Sequence, residues 1–290
     1  MIAIHKYSNI LYPVTHLFFP QTPEEVGKIH RWSVVQIVQA SPAVAQYFHD
    51  YAVCYNAYDT LVSDLHQPLD TLWKRIHHSR QCKIQQARDI SFEIKVNELP
   101  LPELYQFILE FHIEKGLYRP RCNNFKQFCS HCDVFSLHVD DELVIVHVLM
   151  RDLPSRVMAY YSCYNFASHV SNANRGSLNS YLHWWEMQYY KERDVHLYDW
   201  GGVTTDQQSS AYGVTQFKKK FGGDMIREWN MILLGSMLQP IWPMANRIFR
   251  VSGKQQSLGW KQTAMQIKGG PLQTDGYITE PVTGKEGVLQ

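Results

Sequence analysis

The densest run of positive charge in the chain is Lys218-Lys219-Lys220, which closes a short helical segment directly ahead of Phe221-Gly222-Gly223. A lysine on a semi-rigid helix end can neutralise a phosphate, or the negative charge growing on a reacting carbonyl, if water is kept away. The triplet could equally complement the helix C-terminus, where cations are favoured. Upstream, Asp199 ends a short strand before Gly201-Gly202, a pair that lets another backbone come close. Such a carboxylate can orient a polar substrate group or take its proton, directly or through water. The plainer alternative is a structural carboxylate that ties the strand end to its neighbours.

Earlier still, Asn174-Arg175-Gly176-Ser177 opens a long amphipathic segment, 177–193. A helix start suits an anion because its first N–H groups are unpaired and its dipole is positive there. The alternative is an ordinary helix start with Ser177 as the N-cap. A further basic group, Arg80 with Lys83, lies in a segment predicted helical over 70–89. It reads either as a solvated face or as a contact for a phosphate-bearing ligand. Cys122, Cys129 and Cys132, with His131 and His138, have part of a metal-ligand pattern. No second Cys-x-x-Cys pair completes it, and no metal is expected.

The elements that must position these groups follow from periodicity and turn signals. Strands are predicted at 2–7, 33–40, 51–62 and 91–99, and helices at 42–50, 70–89 and 101–115. A loop with a short helix spans 119–132. Three successive strands follow at 134–139, 142–150 and 156–164, turning at Asp140-Asp141 and Leu153-Pro154-Ser155. Then come the helix 177–193, a strand 196–200, a helix 210–220 and a strand 225–234. Strands interleaved with helices predict an α/β (α+β) chain with a mixed sheet flanked by helices. Beyond 235 a basic helical piece, 244–250, and a poorly ordered tail from about 268 are expected.

The motifs Leu182-His183-Trp184, Tyr198-Asp199-Trp200-Gly201-Gly202 and Gly213-Val214-Thr215-Gln216-Phe217-Lys218-Lys219-Lys220-Phe221-Gly222-Gly223 resemble the closing half of a GNAT-type acyltransferase domain. The resemblance is nearer to the FemABX peptidoglycan-bridge aminoacyltransferases and their acetyltransferase-like relatives. The Trp-Lys…Arg…Lys-Ile…Ala spacing carries it back to about residue 70. It implies a GNAT-like domain at 91–235, a shortened, degenerate GNAT-like half at 1–90 packed against it, and a C-terminal extension from 236. It implies an N-acyl- or aminoacyltransferase, with acyl-CoA or aminoacyl-tRNA as co-substrate and no tightly bound cofactor. The acceptor would be an amine of a cell-envelope precursor, such as a nucleotide-sugar, amino-sugar or lipid-linked precursor. Lys218 and Asp199 would then serve catalysis. Residues 174–177 would hold the donor's phosphates, and Arg80, Lys83, His183, Trp184, Tyr198 and Phe217 would line the substrate site. The reaction is expected where two strands splay apart, in a groove between 160–176 and 212–220. The lone glycine at 176 departs from the usual donor loop, which leaves acyl-CoA and tRNA both open. It also motivates the alternative of a catalytically inactive scaffold for a ligand or partner.

Composition narrows the classes further. The 290 residues suit one large unit or two joined ones, and 45% apolar with 19% charged residues is ordinary for a globular chain. A net charge of +1 provides no global field toward nucleic acid, so contact with a phosphate-rich partner must be local. No apolar run reaches membrane-spanning length, and the first residues do not read as a secretory signal. Six scattered cysteines suit reduced thiols. The expected location is cytoplasmic, with peripheral work at the inner face of the cell membrane.

Overall fold

The structure, a computed structural model, describes residues 1–8, 12–117, 119–120 and 122–240. The expected pieces at 244–250 and from 268 lie outside the described residues. The strands are β1 (Ile2–Ser8), β2 (Tyr12–Phe18), β3 (Val34–Ala40), β4 (Ala52–Asp64), β5 (Glu93–Val96), β6 (Cys132–Val139), β7 (Glu142–Asp152), β8 (Arg156–Tyr164), β9 (Leu197–Gly202) and β10 (Asp224–Leu234). The helices are α1 (Pro23–Val26), α2 (Pro42–Phe48), α3 (Leu69–Arg75), α4 (His78–Ala87), α5 (Leu101–Glu114), α6 (Cys122–Cys129), α7 (Asn172–Lys191) and α8 (Tyr212–Lys219).

All ten strands share one mixed sheet, in the order β1-β2-β3-β10-β4-β9-β8-β7-β6-β5. Only β2/β3 and β8/β9 pair in parallel among them. The two stretches at 1–90 and 91–235 therefore join edge to edge. Moreover, β10 leaves the second stretch and lies between β3 and β4 of the first. This is the α+β architecture expected from the alternation of strands and helices, with a large mixed sheet and helices on its faces.

Two elements differ from their sequence reading. The helix expected over 70–89 breaks into α3 and α4 at Ile76-His77. The apolar stripe runs on through the break, because Leu72, Ile76 and Ile84 all enter one core. What ends α3 is a new set of partners: the His77 ring caps α4 by accepting from the Ser79 amide, and the His77 amide donates to the Lys220 carbonyl. The long helix α7 begins five residues earlier than 177–193, after Ser171, which caps it by accepting from the Asn174 amide at 3.2 Å. In addition, β2 was not anticipated, because Pro13, its second residue, reads as a strand breaker.

The core that steadies the second half lies between the sheet and α4/α7. It is dense in large rings, among them Trp200, Tyr198 and Phe221, each 1% exposed or less. Trp184, expected at the substrate site, is part of this packing, with its ring centroid 5.2 Å from that of Trp73.

Candidate functional site

Two bulges open the sheet at one level. Pairing of β7 with β8 slips by one residue between Val148↔Tyr161 and Leu149↔Ala159, so Tyr160 is an extra residue on β8. Pairing of β4 with β9 slips likewise between Thr60↔Gly202 and Val62↔Asp199, so Trp200 and Gly201 together face Leu61. An extra residue bends its strand and drops out of the ladder. Gly201 takes φ +71°, a conformation natural to glycine. Between the bent strands, the parallel β8/β9 pairing stops at Met158↔Asp199, although both strands continue. The expected splay is thus present, and the backbone of Tyr160 is paired with neither neighbouring strand.

A cavity of about 310 Å³ sits at this opening. Met158, Ala159, Tyr160, Gly201, Gly202 and Lys218 line one side, and His16, Gln36, Gln39, Asn56, Tyr58 and Asn230 line the other. Gly202 is where the walls meet. Its amide donates to the Tyr58 hydroxyl at 2.8 Å, and a Cβ there would come within 2.7 Å of that oxygen.

Lys218 is the single formally charged side chain among the described lining residues. It is half-buried, and its Nζ donates to the Gly202 carbonyl at 2.9 Å. Burial pushes its pKa down to about 8, against the opposing pull of Asp199. Lys219 and Lys220 are exposed. The triplet therefore splits into one cation in the cleft and two in solvent. Burial likewise raises the phenol of Tyr160 to about 12, and burial with the charge of Asp199 raises that of Tyr58, so both stay neutral donors.

Asp199 lies directly behind this wall and is 0% exposed. Its Oδ1 accepts from Thr60 Oγ1 at 2.5 Å and from the Gly201 amide at 2.7 Å. Its Oδ2 accepts from Gln39 Nε2 at 2.8 Å and from Arg156 at 3.3 Å. Arg156 also grips Glu228 through two nitrogens, at 2.6 and 3.0 Å. With four donors on two oxygens, this carboxylate has no lone pair directed at a substrate. The expected proton acceptor is replaced by the structural carboxylate weighed beside it. Asp199 fixes the Gly201 bulge and, through it, the place of Lys218.

Residues 174–177 do not form a loop. They lie in the first turns of α7 because Ser171, not Ser177, caps the helix. Ser177 is 2% exposed and donates to the Ala173 carbonyl at 3.2 Å. Arg175 is spent on the chain just before the helix, donating to the carbonyls of Asn165 and Phe166 and to the Asn172 side chain. Asn174 is exposed, and Gly176 faces open space. The helix tip suited to an anion is thus Ser171–Asn174.

Arg80 is half-buried and bridges three helices. Its NH1 donates to Ser180 Oγ at 2.6 Å, and its guanidinium lies 4.3 Å from the centre of the Phe217 ring. Lys83, a turn further on, is partly buried and is not among the cavity's lining residues. Neither is Phe217, whose ring packs between Arg80, His183 and Phe221.

His183 and Tyr198 belong to a buried polar group behind the splay. The Glu186 carboxylate accepts from His147 Nδ1 and from the Tyr198 hydroxyl, each at 2.6 Å, and that hydroxyl in turn accepts from His183 Nδ1 at 2.9 Å. His147 Nε2 meets Asn179 Oδ1 and Ser162 Oγ at 2.8 and 2.9 Å. Among the described residues His147, His183 and Glu186 are the group close enough to share a metal ion. Hydrogen bonds link all four side chains, Tyr198 included, and the two imidazoles stack at 4.2 Å. Elsewhere, Cys132 Sγ donates to the Phe128 carbonyl at 3.3 Å, and burial lifts the Cys129 thiol to about 12, so both thiols stay protonated. The side chain of Cys122 lies outside the described residues.

This network sets an acid limit. Burial, reinforced by the neighbouring His147, holds His183 down at about 4, below the ordinary 6.5. Burial alone would raise Glu186, but the two histidines outweigh it and hold the acid near 2, below 4.5. The unfolded chain therefore takes up protons that the native state refuses, first on His183 between pH 6.5 and 4, then on Glu186 below 4.5. Melting measured from pH 7 to pH 4 should fall by roughly 5–10 °C from His183 alone. A flat profile over that window would remove the buried neutral imidazole.

Comparison with known proteins agrees with this geometry. The FemAB family model matches residues 157–245, the stretch holding β8, the splay and Lys218. That stretch is similar to the FemAB family. The crystal structure of FemX is similar over 83% of this chain and 85% of that one, with a TM-score of 0.59 at 13% identity. The C-terminal domain of a putative lysylphosphatidylglycerol synthetase from Agrobacterium fabrum is similar over 88% and 87%, with a TM-score of 0.55 at 14% identity. L-PGS from Bacillus licheniformis is similar over 84% of each chain, with a TM-score of 0.53 at 12% identity. No curated protein sequence matches the chain. At these identities the structural likeness shows a shared fold, and the family match is a similarity to FemAB over residues 157–245. The part of the cavity that the motifs did not reveal is its far wall. A signal was present in Val34–Ala40, where Gln36 and Gln39 interrupt an otherwise apolar strand.

Proposed function

We propose that this FemAB-like protein is an acyltransferase that moves an aminoacyl or acyl group onto an amine of a cell-envelope precursor. The observation that carries the proposal is the double bulge between β8 and β9 with Lys218 Nζ at its mouth. A donor carbonyl seated there meets a cation and a backbone segment left out of the sheet ladder, the two kinds of group that stabilise a carbonyl oxygen as it becomes an oxyanion. The amine nitrogen attacks the carbonyl carbon and the C–N bond forms. The bond to the donor's oxygen or sulfur then breaks, and the proton shed by the amine goes to that leaving atom or to solvent.

Two features favour an aminoacyl ester over a thioester. Arg80 crosses from α4 to Ser180 on α7 and Phe217 on α8, between the helices that border the splay. The anion-ready tip of α7 also carries no run of glycines. On this reading Arg80 and the Ser171–Asn174 tip, which stand outside the cavity lining, would meet phosphates of such a donor. The printed names of similar structures, FemX and a lysylphosphatidylglycerol synthetase, suit this reading. Among the described residues no helix is long and apolar enough to cross a membrane.

The test is transfer of radiolabel from charged tRNA, or from acetyl-CoA, to lysine peptides, amino sugars and phosphatidylglycerol vesicles. Label is expected on an amine with tRNA as donor. Label from acetyl-CoA alone would reverse the choice of donor, and no transfer from either would leave the inactive scaffold.

A further inference from the structure

The cavity wall opposite Lys218 contains a buried acceptor without a donor. Gln39 is 0% exposed, lines the cavity, and holds the uncommon φ of +56°. Its Nε2 lies 2.8 Å from Asp199 Oδ2 and 3.0 Å from Glu228 Oε2. Ionised carboxylates only accept, so the amide must turn its nitrogen to them and its oxygen away. Arg156 keeps that assignment fixed by donating to both acids. The remaining atom, Gln39 Oε1, is buried and finds no hydrogen-bond partner among the described residues. A buried polar atom left unpaired is costly, and a ligand that supplies the missing donor recovers the cost on binding.

We infer that Gln39 is the amine-recognition residue of the acceptor subsite, its Oε1 receiving an N–H of a primary amine held in the cavity opposite Lys218. This rests on the acyl-transfer reading for its place in a reaction, but not for the binding itself. The chemistry of the wall fits. Asn56, Asn230 and Tyr58 are neutral and polar, and Lys218 is a cation, so the cavity selects the uncharged amine, the nucleophilic form, over the ammonium. Asp199 joins the two sides, since it holds the Gln39 amide on one oxygen and the Gly201 bulge beside Lys218 on the other. An N–H donor of this kind could come from a peptide lysine or an amino sugar.

The experiment uses the full chain with two probes, Nα-acetyl-lysine amide and glucosamine, and with phosphatidylglycerol vesicles as a hydroxyl acceptor. The side-chain amide signals of Gln39, assigned in 15N-labelled wild-type protein, are followed as each probe is added above pH 8. The lysine or sugar probe, whichever is the source, should shift them with saturation. Gln39→Met and Gln39→Asn are then compared with wild type in transfer assays. Loss of a hydrogen bond to the acceptor should raise its KM about tenfold or more. Saturable shifts without transfer in the wild type would support the amine site and sink the transferase reading. Transfer by the wild type with unchanged KM in a folded variant would overturn Gln39 and leave the transferase standing. Shifts produced by the vesicles and by neither amine would overturn the choice of an amine. No shift with any probe, and no transfer, would overturn both.

Discussion

Lys218→Met should lower the transfer rate by about two to three orders of magnitude, the usual cost of removing one group that stabilises a developing oxyanion. The melting temperature should move little. Methionine keeps the apolar stem, and the fold forfeits one hydrogen bond to the Gly202 carbonyl, worth about 1 kcal/mol. Activity should also fall as pH rises through about 8, where burial places the loss of the lysine's charge. Lys218→Arg, charged at every pH used, should carry the high-pH limb upward even if its larger head slows the reaction. A methionine variant that transfers at the wild-type rate would show that the cation in the cleft takes no part in chemistry. The other two lysines make the internal control: Lys219→Met and Lys220→Met should leave the rate unchanged, because both side chains stand in solvent.

Asp199→Ala should be the most damaging single change to the fold. It removes the acceptor shared by Gln39, Thr60, Arg156 and the Gly201 amide, and leaves a buried guanidinium with half of its charge partners. Breaking a buried ion pair from one side costs about 3–5 kcal/mol, which for a chain of this size is roughly 10 °C in melting temperature. Asp199→Asn tests what kind of residue this is. Its Oδ1 can still serve Thr60 and Gly201, but its amide nitrogen now faces the donors of Gln39 and Arg156. A structural carboxylate therefore predicts a drop in melting for asparagine too, with transfer lost in proportion to folding. Unchanged melting with abolished transfer would instead return Asp199 to the chemistry.

The second half of the chain was readable because its signals are local. The three antiparallel strands from Cys132 to Tyr164 are largely apolar runs between explicit turns, and Phe217-Lys218 sits in a motif with fixed neighbours. Ser171 and Ser177 are both good helix caps, and Gly176 drew attention to the wrong one. Arg175 decides the matter by anchoring the preceding chain at Asn165 and Phe166, contacts that no helix pattern displays. The break between α3 and α4 was equally hidden, since the partner of His77 is Lys220, far along the chain. The far wall of the cavity has the same cause. His16, Gln39, Asn56 and Asn230 come from four different strands, and only the order of the sheet makes them neighbours.

That order has a consequence for how the molecule matures. The strand synthesised last among those described, β10, is the one that fills the gap between β3 and β4. Until residue 234 has emerged from the ribosome, two strands of the first half keep bare inner edges, so the early half waits for the late one. Asn230 and Glu228 arrive on that same strand, one to line the cavity and the other to hold Gln39 and Arg156. The cavity is thus closed by the strand that completes the middle of the sheet, and a nascent chain cannot present it before that strand has emerged.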